Sequence, residues 1–130
     1  MNKREILNTL LTHRSIRQYK SEPLPEGDVE TLMRLAQRAS SGGSAQVYSV
    51  IRITDRTSRQ KISIWMDQPF VQQAAEFFIF CMDVHRLQLL LKHRGANLGM
   101  GPLIALNYGT IDCCLSSSNM AIAAEAMGYG

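Results

Sequence analysis

The sequence predicts a single domain that mixes helices and strands. The chain has 130 residues, which is the length of one domain rather than two. Two runs, residues 47–54 and 76–83, are rich in β-branched or aromatic residues, as is typical of strands. The segments around these runs repeat apolar residues at helical spacing. Because two strands alone make a poor sheet, we expect a sheet that is incomplete within this chain.

The first two helices are predicted from apolar residues that fall on one helical face. The first helix ends near His13, and the second runs from Gly27 to about Ala39. The pattern consists of Ile6, Leu7, Leu10 and Leu11 in the first helix, and of Val29, Leu32, Met33 and Ala36 in the second.

The middle of the chain alternates loop, strand and helix. Residues 40–44 contain only serine and glycine, which is typical of a linker or of a loop that approaches a ligand. After the strand at 47–54, Asp55 is placed to cap a helix that reaches about Met66. The run at 76–83 is apolar enough to be a buried central strand.

The last third of the chain predicts two more helices. The first spans 84–92, and a loop at 94–102 with three glycines follows it. The final helix begins near Leu103 or Tyr108, ends near Met127, and has Gly128 as a C-terminal cap. Because it is apolar on several sides, we expect it to be buried or to lie in an interface.

Composition argues against several classes of protein. Hydrophobic residues make up 45% of the chain and charged residues 19%, as in ordinary globular proteins. The net charge of +3 comes from scattered basic residues rather than a basic stripe, so we expect no nucleic-acid partner. No apolar run is long enough to span a bilayer and no leader is recognisable, so we expect no membrane partner and a cytoplasmic location.

The cysteines and two of the histidines are not expected to carry chemistry. Cys81, Cys113 and Cys114 lie in apolar surroundings at a spacing that does not suit zinc, so we predict small buried side chains in a reducing compartment and no metal site. His85 and His93 are predicted on a helix surface rather than as a general base.

The segment His13–Arg17 is the most informative for function. Arg14 and Arg17 are three residues apart and can point to one side of a helical turn, with Ser15 between them. Guanidinium groups and a hydroxyl bind phosphate oxygens through charge-assisted hydrogen bonds. A basic helix end that is only solvated is the alternative for these five residues taken alone.

The wider order of motifs resembles the nitroreductase family, especially its NADPH-preferring, oxygen-insensitive branch and the related flavin reductases. The resemblance covers essentially the whole chain. The residues that carry it are 13–19 (HRSIRQY), 22–24 (EPL), 38–41 (RASS), Gln46, 51–55 (IRITD), Gln68, 73–81 (QAAEFFIFC), Asp112 and 119–128 (NMAIAAEAMG).

The resemblance implies a nitroreductase-like fold of the α+β class, in which helices flank a central mixed β-sheet that is incomplete in one chain and that dimerisation completes. It also implies FMN at the interface of a homodimer, with NAD(P)H as electron donor. His13, Arg14, Ser15 and Arg17 would hold the phosphate and ribityl chain of FMN. Ser40, Ser41 and Gln46 would contact the flavin of the facing subunit, and Ser44 is a further candidate for that contact. Gln68 would contact the ring or the ribityl region.

The implied reaction is a ping-pong hydride transfer from NAD(P)H, through the flavin, to a nitroaromatic, a quinone or free flavin. The cofactor carries this chemistry, so the resemblance assigns no catalytic side chain. A second hypothesis is a catalytically silent flavin-fold remnant that acts as a binding or dimerisation protein.

The sequence departs from the family pattern in three places. It stops at Gly130, where a glycine-containing loop, a further strand and a C-terminal segment are expected, so residues 1–130 are predicted to be one C-terminally truncated domain. Phe70 replaces a more polar position, and the loop after Ser41 is one residue short. A gene fragment or truncated polypeptide, a compact variant completed by dimerisation, and a module of a longer protein all remain open explanations, and each predicts an oligomer.

Overall fold

Six α-helices and two strands alternate along the part of the chain that the structure describes. The computed structural model describes residues 3–20 and 22–130, with the side chains of Lys3, Glu5 and Ile6 outside this description. In chain order the elements are α1 (Lys3–Leu11), α2 (Asp28–Ala36), a 3-10 turn (Gly42–Ser44), β1 (Tyr48–Arg52), α3 (Arg56–Met66), α4 (Phe70–Gln73), β2 (Phe78–Met82), α5 (Val84–His93) and α6 (Pro102–Ala126).

The described strands form one antiparallel pair. In the register of this pair, Tyr48 lies opposite Met82 and Arg52 lies opposite Phe78. Helix α6 packs against this pair, and Gly109 lets it come close: a Cβ atom at that position would lie 2.9 Å from the Cγ atom of Met82. The predicted α+β class is confirmed, and the described residues contribute an antiparallel part of the expected mixed sheet.

The core lies between α2, α6 and one face of the sheet. Leu32, Ala36 and Met120 form the buried cluster. The predicted apolar face of the second helix is therefore confirmed. The partly buried residues around this cluster are Leu24, Met33, Phe78, Phe80, Ala123, Ala124 and Met127.

Helix α6 is the longest described helix, and one of its faces is buried. Pro102 occupies its first turn, where a missing N–H costs nothing. Gly128 has φ +89° at its end, and the N–H groups of Gly128 and Tyr129 donate to the carbonyl oxygens of Glu125 and Ala124. This is a Schellman cap, so the predicted role of Gly128 is confirmed. The buried positions are Ala105, Gly109, Asp112, Ser116 and Met120.

Helix α3 begins as predicted. The carboxylate of Asp55 accepts a hydrogen bond from the backbone N–H of Ser58 at 2.7 Å, which is the geometry of an N-cap. The side-chain hydroxyl and backbone N–H of Ser58 lower the pKa of Asp55 because they stabilise its charged form.

Several element boundaries differ from the predictions. Helix α2 ends at Ala36 rather than Ala39, because the next residues form tight turns. Both strands are shorter than predicted, and β1 begins at Tyr48 because the N–H of Val47 donates to the carboxylate of Asp112. Helix α1 ends at Leu11, before His13, and α4 was not predicted because four residues are too short to show a period.

Two burial predictions, for the second strand and for the cysteines, are also wrong. Strand β2 is half-buried rather than buried, because the described chain covers it with one strand and one side of α6. Cys81 and Cys113 are half-buried, and Cys114 is exposed. The apolar residues Leu7, Leu10 and Leu11 of α1 are exposed, while the predicted position at Ile6 has its side chain outside the described residues. His85 and His93 lie exposed on α5, as expected.

Helix α6 also presents an exposed apolar stripe. Ile104, Ile111 and Leu115 fall on one side of the helix because they are seven and four residues apart. Their exposed fractions are 50%, 51% and 40%. Within residues 3–20 and 22–130, no helix is long and apolar enough to cross a membrane.

Candidate functional site

The segment after α1 lines an open groove with a volume of about 300 Å³. One wall consists of His13, Arg14, Ser15 and Arg17, so the structure brings together the four residues proposed from the opening motif. The opposite side comes from α4, α6 and the residues after it. The remaining lining residues are Ile16, Tyr19, Phe70, Ala121, Ala124, Glu125 and Gly130.

The basic segment is not helical, contrary to the expectation of a helical turn. Helix α1 ends at Leu11, and residues 13–20 have no regular structure. The side chains of Arg14 and Arg17 nevertheless face the same groove. All residues from His13 to Gln18 are exposed, so the guanidinium groups remain available to a ligand.

A carboxylate also borders this basic groove. The ring atom Nδ1 of His13 lies 2.5 Å from Oε1 of Glu125, near the end of α6. Arg14, Ile16 and Glu125 also line a second, smaller cavity of about 180 Å³ beside the groove. Glu125 was not predicted as a site residue, because it lies 112 positions from His13 along the chain.

The floor of the groove is apolar and partly aromatic. The rings of Tyr19 and Phe70 lie with their centroids 6.2 Å apart, at 59° to each other. This tilted arrangement is one that aromatic pairs favour. Ala121 and Ala124 of α6 also belong to this apolar part of the lining. A groove that combines cationic and apolar residues suits a ligand that has both a phosphate group and an uncharged body.

The loop predicted from Ser40, Ser41, Ser44 and Gln46 folds into a compact turn. The hydroxyl oxygen of Ser41 accepts a hydrogen bond from the N–H of Gln46 at 3.3 Å. Ser44 and Gln46 have φ values of +55° and +49°, which non-glycine residues seldom adopt. The backbone of this loop is therefore held in a strained conformation.

Asp112 holds both ends of this turn. Its Oδ1 atom accepts a hydrogen bond from the N–H of Gly42, and its Oδ2 atom accepts one from the N–H of Val47, each at 2.9 Å. Asp112 is 1% exposed and Val47 is fully buried. Asp112 matched the family pattern in the sequence, but its partners, 65 and 70 residues away, could not be read from it.

Helix α5 holds the same loop from another side. Arg86 donates from Nη2 to the carbonyl oxygens of Gln46, at 2.5 Å, and Tyr48, at 3.1 Å. The carboxylate of Asp83 accepts from the Ser49 hydroxyl at 2.5 Å and from the N–H of Arg86 at 2.9 Å. The Ser49 hydroxyl, followed by the N–H of Arg86, lowers the pKa of Asp83 because both donors favour the charged carboxylate.

The loop contacts the middle of α6, whereas the basic groove lies near the C-terminal end of that helix. Asp112 anchors the loop and Ala121 lines the groove, and these residues are nine positions, or about 14 Å, apart along the helix axis. The family resemblance assigns the loop to the flavin of a facing subunit. The separation of the loop from the groove within one chain is consistent with that assignment. It stays a prediction.

Gln68 is not among the residues that line the groove. Its backbone N–H donates to the Ser63 carbonyl at 2.9 Å, and its own carbonyl accepts from the Ser63 hydroxyl at 3.0 Å. Phe70, two residues later, is the residue that lines the groove. Phe70 was noted in the sequence only as a departure from the family pattern.

The described residues contain no group of three or more histidine, cysteine or acidic side chains that could hold a metal ion. Of the cysteines, Cys113 has a pKa that burial raises above its ordinary value. Burial therefore disfavours its thiolate, which is the nucleophilic form.

Comparison with known protein families shows which family this chain belongs to. The Nitroreductase family profile matches residues 10–130, which is most of the chain. The chain belongs to the nitroreductase family. The resemblance that the sequence motifs carried is therefore confirmed.

Relatives within the nitroreductase family match over nearly the whole chain. A Bacillus subtilis protein named FMN reductase (NADPH) is 35% identical over 127 residues, covering 95% of this chain and 51% of its own length. The structure of Bacillus megaterium NfrA2 superposes with a TM-score of 0.90 at 32% identity, over 98% of this chain and 52% of that one. The chain thus spans about half the length of these relatives.

A further solved relative carries a nicotinamide nucleotide. The structure of Vibrio harveyi NADPH:FMN oxidoreductase, complexed with NAD⁺, has a TM-score of 0.87 and 30% identity, over 95% of this chain and 53% of that one. These likenesses confirm the nitroreductase-like fold.

Proposed function

We propose that this chain binds FMN and forms part of an NAD(P)H-dependent flavin oxidoreductase. The observation that carries the proposal is the groove in which Arg14, Arg17, Ser15 and His13 meet above an apolar floor. The names of the relatives, FMN reductase (NADPH) and NADPH:FMN oxidoreductase, support the same cofactor and electron donor.

The residues of the groove fit the phosphate end of FMN. Two guanidinium groups can supply several N–H donors, and the Ser15 hydroxyl can supply another. Among the described residues that line the groove, Glu125 is the one acidic side chain, and the ring of His13 covers one of its oxygen atoms. We therefore assign the phosphate and ribityl chain to Arg14, Arg17, Ser15 and His13.

We further propose a homodimer with FMN at its interface. The exposed stripe of Ile104, Ile111 and Leu115 supports a partner surface, because exposed apolar stripes of this kind mark association sites. Asp112, which anchors the loop, and Ala121, which lines the groove, are about 14 Å apart along the axis of α6, and this separation supports the assignment of Ser40, Ser41 and Gln46 to the partner's cofactor. Ser44 and Gln68 remain candidates for the same site.

When bound, FMN would supply the redox chemistry by accepting hydride from NAD(P)H and passing the electrons to an acceptor in a ping-pong sequence. The chain's own residues bind and orient. Arg14 and Arg17 would hold the phosphate, and the apolar floor near Phe70 would exclude water from the adjoining part of the ligand. We propose a nitroaromatic, a quinone or free flavin as the small-molecule acceptor, and the cytoplasmic location stays a prediction.

The experiment is the visible absorption spectrum of the purified chain after incubation with FMN and desalting. A retained flavin band that NADPH bleaches under anaerobic conditions, and that a quinone restores, is the expected result. A folded chain that retains no flavin would contradict the proposal. Retained flavin that NADPH does not bleach would instead favour the silent flavin-fold remnant, which acts as a binding or dimerisation protein.

A further inference from the structure

Burial of the Asp112 carboxylate in the interior has a cost in free energy. An ionised carboxylate removed from water is costly unless hydrogen bonds compensate it. Here both oxygen atoms are used, each by one backbone N–H at 2.9 Å. The donors belong to Gly42 and Val47, so one side chain closes a loop of six residues.

The loop between these donors needs an external constraint. Ser44 and Gln46 both have positive φ values, and such conformations persist where the surroundings over-determine them. The hydrogen bonds inside the loop, from Ser44 N–H and Ala45 N–H to Ser41 and Gly42 carbonyls, span only three residues each. The contacts that hold the loop in this strained conformation therefore come from outside the loop.

Tyr108, one helical turn before Asp112, limits where the loop can lie. A Cβ atom on Gly42 would come within 3.1 Å of the Tyr108 ring, so the backbone at Gly42 rests directly on that ring. Helix α6 thus sets the loop by two contacts, a carboxylate that holds it and a ring that supports it.

We propose that Asp112 is a positioning residue for cofactor binding. It acts through the Gly42–Val47 loop, and sets the backbone that carries Ser41 and Gln46 toward the FMN of the facing subunit. This inference rests on the proposed function. It adds to that function a determinant of FMN affinity, which is a buried residue that itself touches no ligand.

The test uses Asp112→Asn in the full chain. The amide keeps one acceptor oxygen but turns an N–H₂ donor toward the second backbone N–H, so one loop contact is lost. We expect faster amide hydrogen exchange at Gly42 and Val47 and an FMN dissociation constant raised about tenfold, as for one lost hydrogen bond to a charged group.

A double-mutant cycle separates positioning from general loss of structure. In a Ser41→Ala, Gln46→Ala background, Asp112→Asn should change FMN affinity by less than about twofold, because the groups it positions are already absent. The matched control is Ser116→Ala, one turn later on the same face, whose buried hydroxyl donates to the Ala36 carbonyl instead of the loop. It should leave FMN affinity unchanged, and it should speed exchange of the Gly42 and Val47 amides by no more than its loss of global stability accounts for.

Two results would overturn the inference. One is FMN affinity that Asp112→Asn leaves unchanged in a chain whose wild type binds FMN. The other is an equal loss of affinity with and without Ser41 and Gln46. If Asp112→Asn does not fold by circular dichroism, Gly42→Ala tests the same loop, since its methyl group would press on Tyr108, and unchanged FMN affinity there counts against the inference.

The proposed function and the role of Asp112 would be overturned by different results. A folded wild-type chain that binds no FMN overturns the proposed function and, with it, the cofactor role of Asp112. Wild-type binding that survives Asp112→Asn overturns the role of Asp112 alone.

Discussion

The Nδ1 atom of His13 lies 2.5 Å from Oε1 of Glu125, at the edge of the groove that Arg14 and Arg17 line. In the proposed FMN complex, this carboxylate would lie close to the phosphate, and a negative charge there would oppose binding. Under that assignment His13 would have two roles, as a donor to the ligand and as a cover for Glu125.

The first prediction concerns this pair. His13→Ala should weaken FMN binding, because it removes a donor and uncovers the Glu125 carboxylate. The double variant His13→Ala, Glu125→Gln should bind FMN more tightly than His13→Ala alone, by about three- to tenfold, since the repulsive charge is gone. Titration of flavin fluorescence measures both constants. Equal affinity of the single and double variants would show that Glu125 does not act on the phosphate.

The second prediction concerns the guanidinium groups. Arg14→Ala together with Arg17→Ala should abolish retention of FMN on desalting, because each charge-assisted contact contributes about 1.5–3 kcal/mol. The flavin absorption of the desalted protein measures this. Arg56→Ala with Arg94→Ala, two exposed arginines outside the groove, is the matched control and should retain the flavin. Unchanged FMN affinity in the Arg14, Arg17 variant would remove the assignment.

The third prediction concerns the exposed stripe on α6. Ile111→Asp places a charge in the middle of the stripe and should shift the protein from dimer to monomer, because a buried unpaired charge opposes association. Light scattering at micromolar concentration measures the mass. Gln88→Asp, on the exposed surface of α5, should leave the dimer intact. A wild-type chain that is already a monomer would contradict the proposed assembly.

The fourth prediction concerns pH. The Ser49 hydroxyl lowers the pKa of Asp83 below 3.8, its ordinary value. The folded state therefore gains stability from Asp83 above that pH and loses it as the pH falls through the lowered pKa. Ser49→Ala should make the free energy of unfolding fall less between about pH 6 and about pH 3 than it does in the wild type.

Urea unfolding at the two pH values tests this pH dependence. Ser118→Ala, which changes an exposed serine of α6, is the control and should keep the wild-type difference. A difference that Ser49→Ala leaves unchanged would mean that the Ser49 hydroxyl does not stabilise the charged form of Asp83.

The fifth prediction concerns Ser116, the buried hydroxyl that donates to the Ala36 carbonyl at 3.1 Å. Ser116→Ala should lower the free energy of unfolding by about 1 kcal/mol, the net value of one such bond. Ala36 keeps a second partner, the N–H of Ala39, so its carbonyl is not left unpaired. A loss well above this value would show that Ser116 has a further packing role.

The sequence by itself determined the features whose partners lie close along the chain. Asp55 caps α3 through Ser58, three residues away, and Gly128 ends α6 through contacts within five residues. The amphipathic face of α2 follows from the spacing of Leu32 and Ala36. The order of its motifs also carried the family, which the match over residues 10–130 confirmed.

Only the tertiary structure decided which distant groups meet. Asp112 reaches Val47 across 65 residues, and Glu125 reaches His13 across 112. Local spacing does not encode such pairs, because they depend on how α6 packs against the loop and against the segment after α1. Capping and periodicity arise from the geometry of one helical turn, whereas these side-chain contacts form only when separate elements have been brought together by burial of the core.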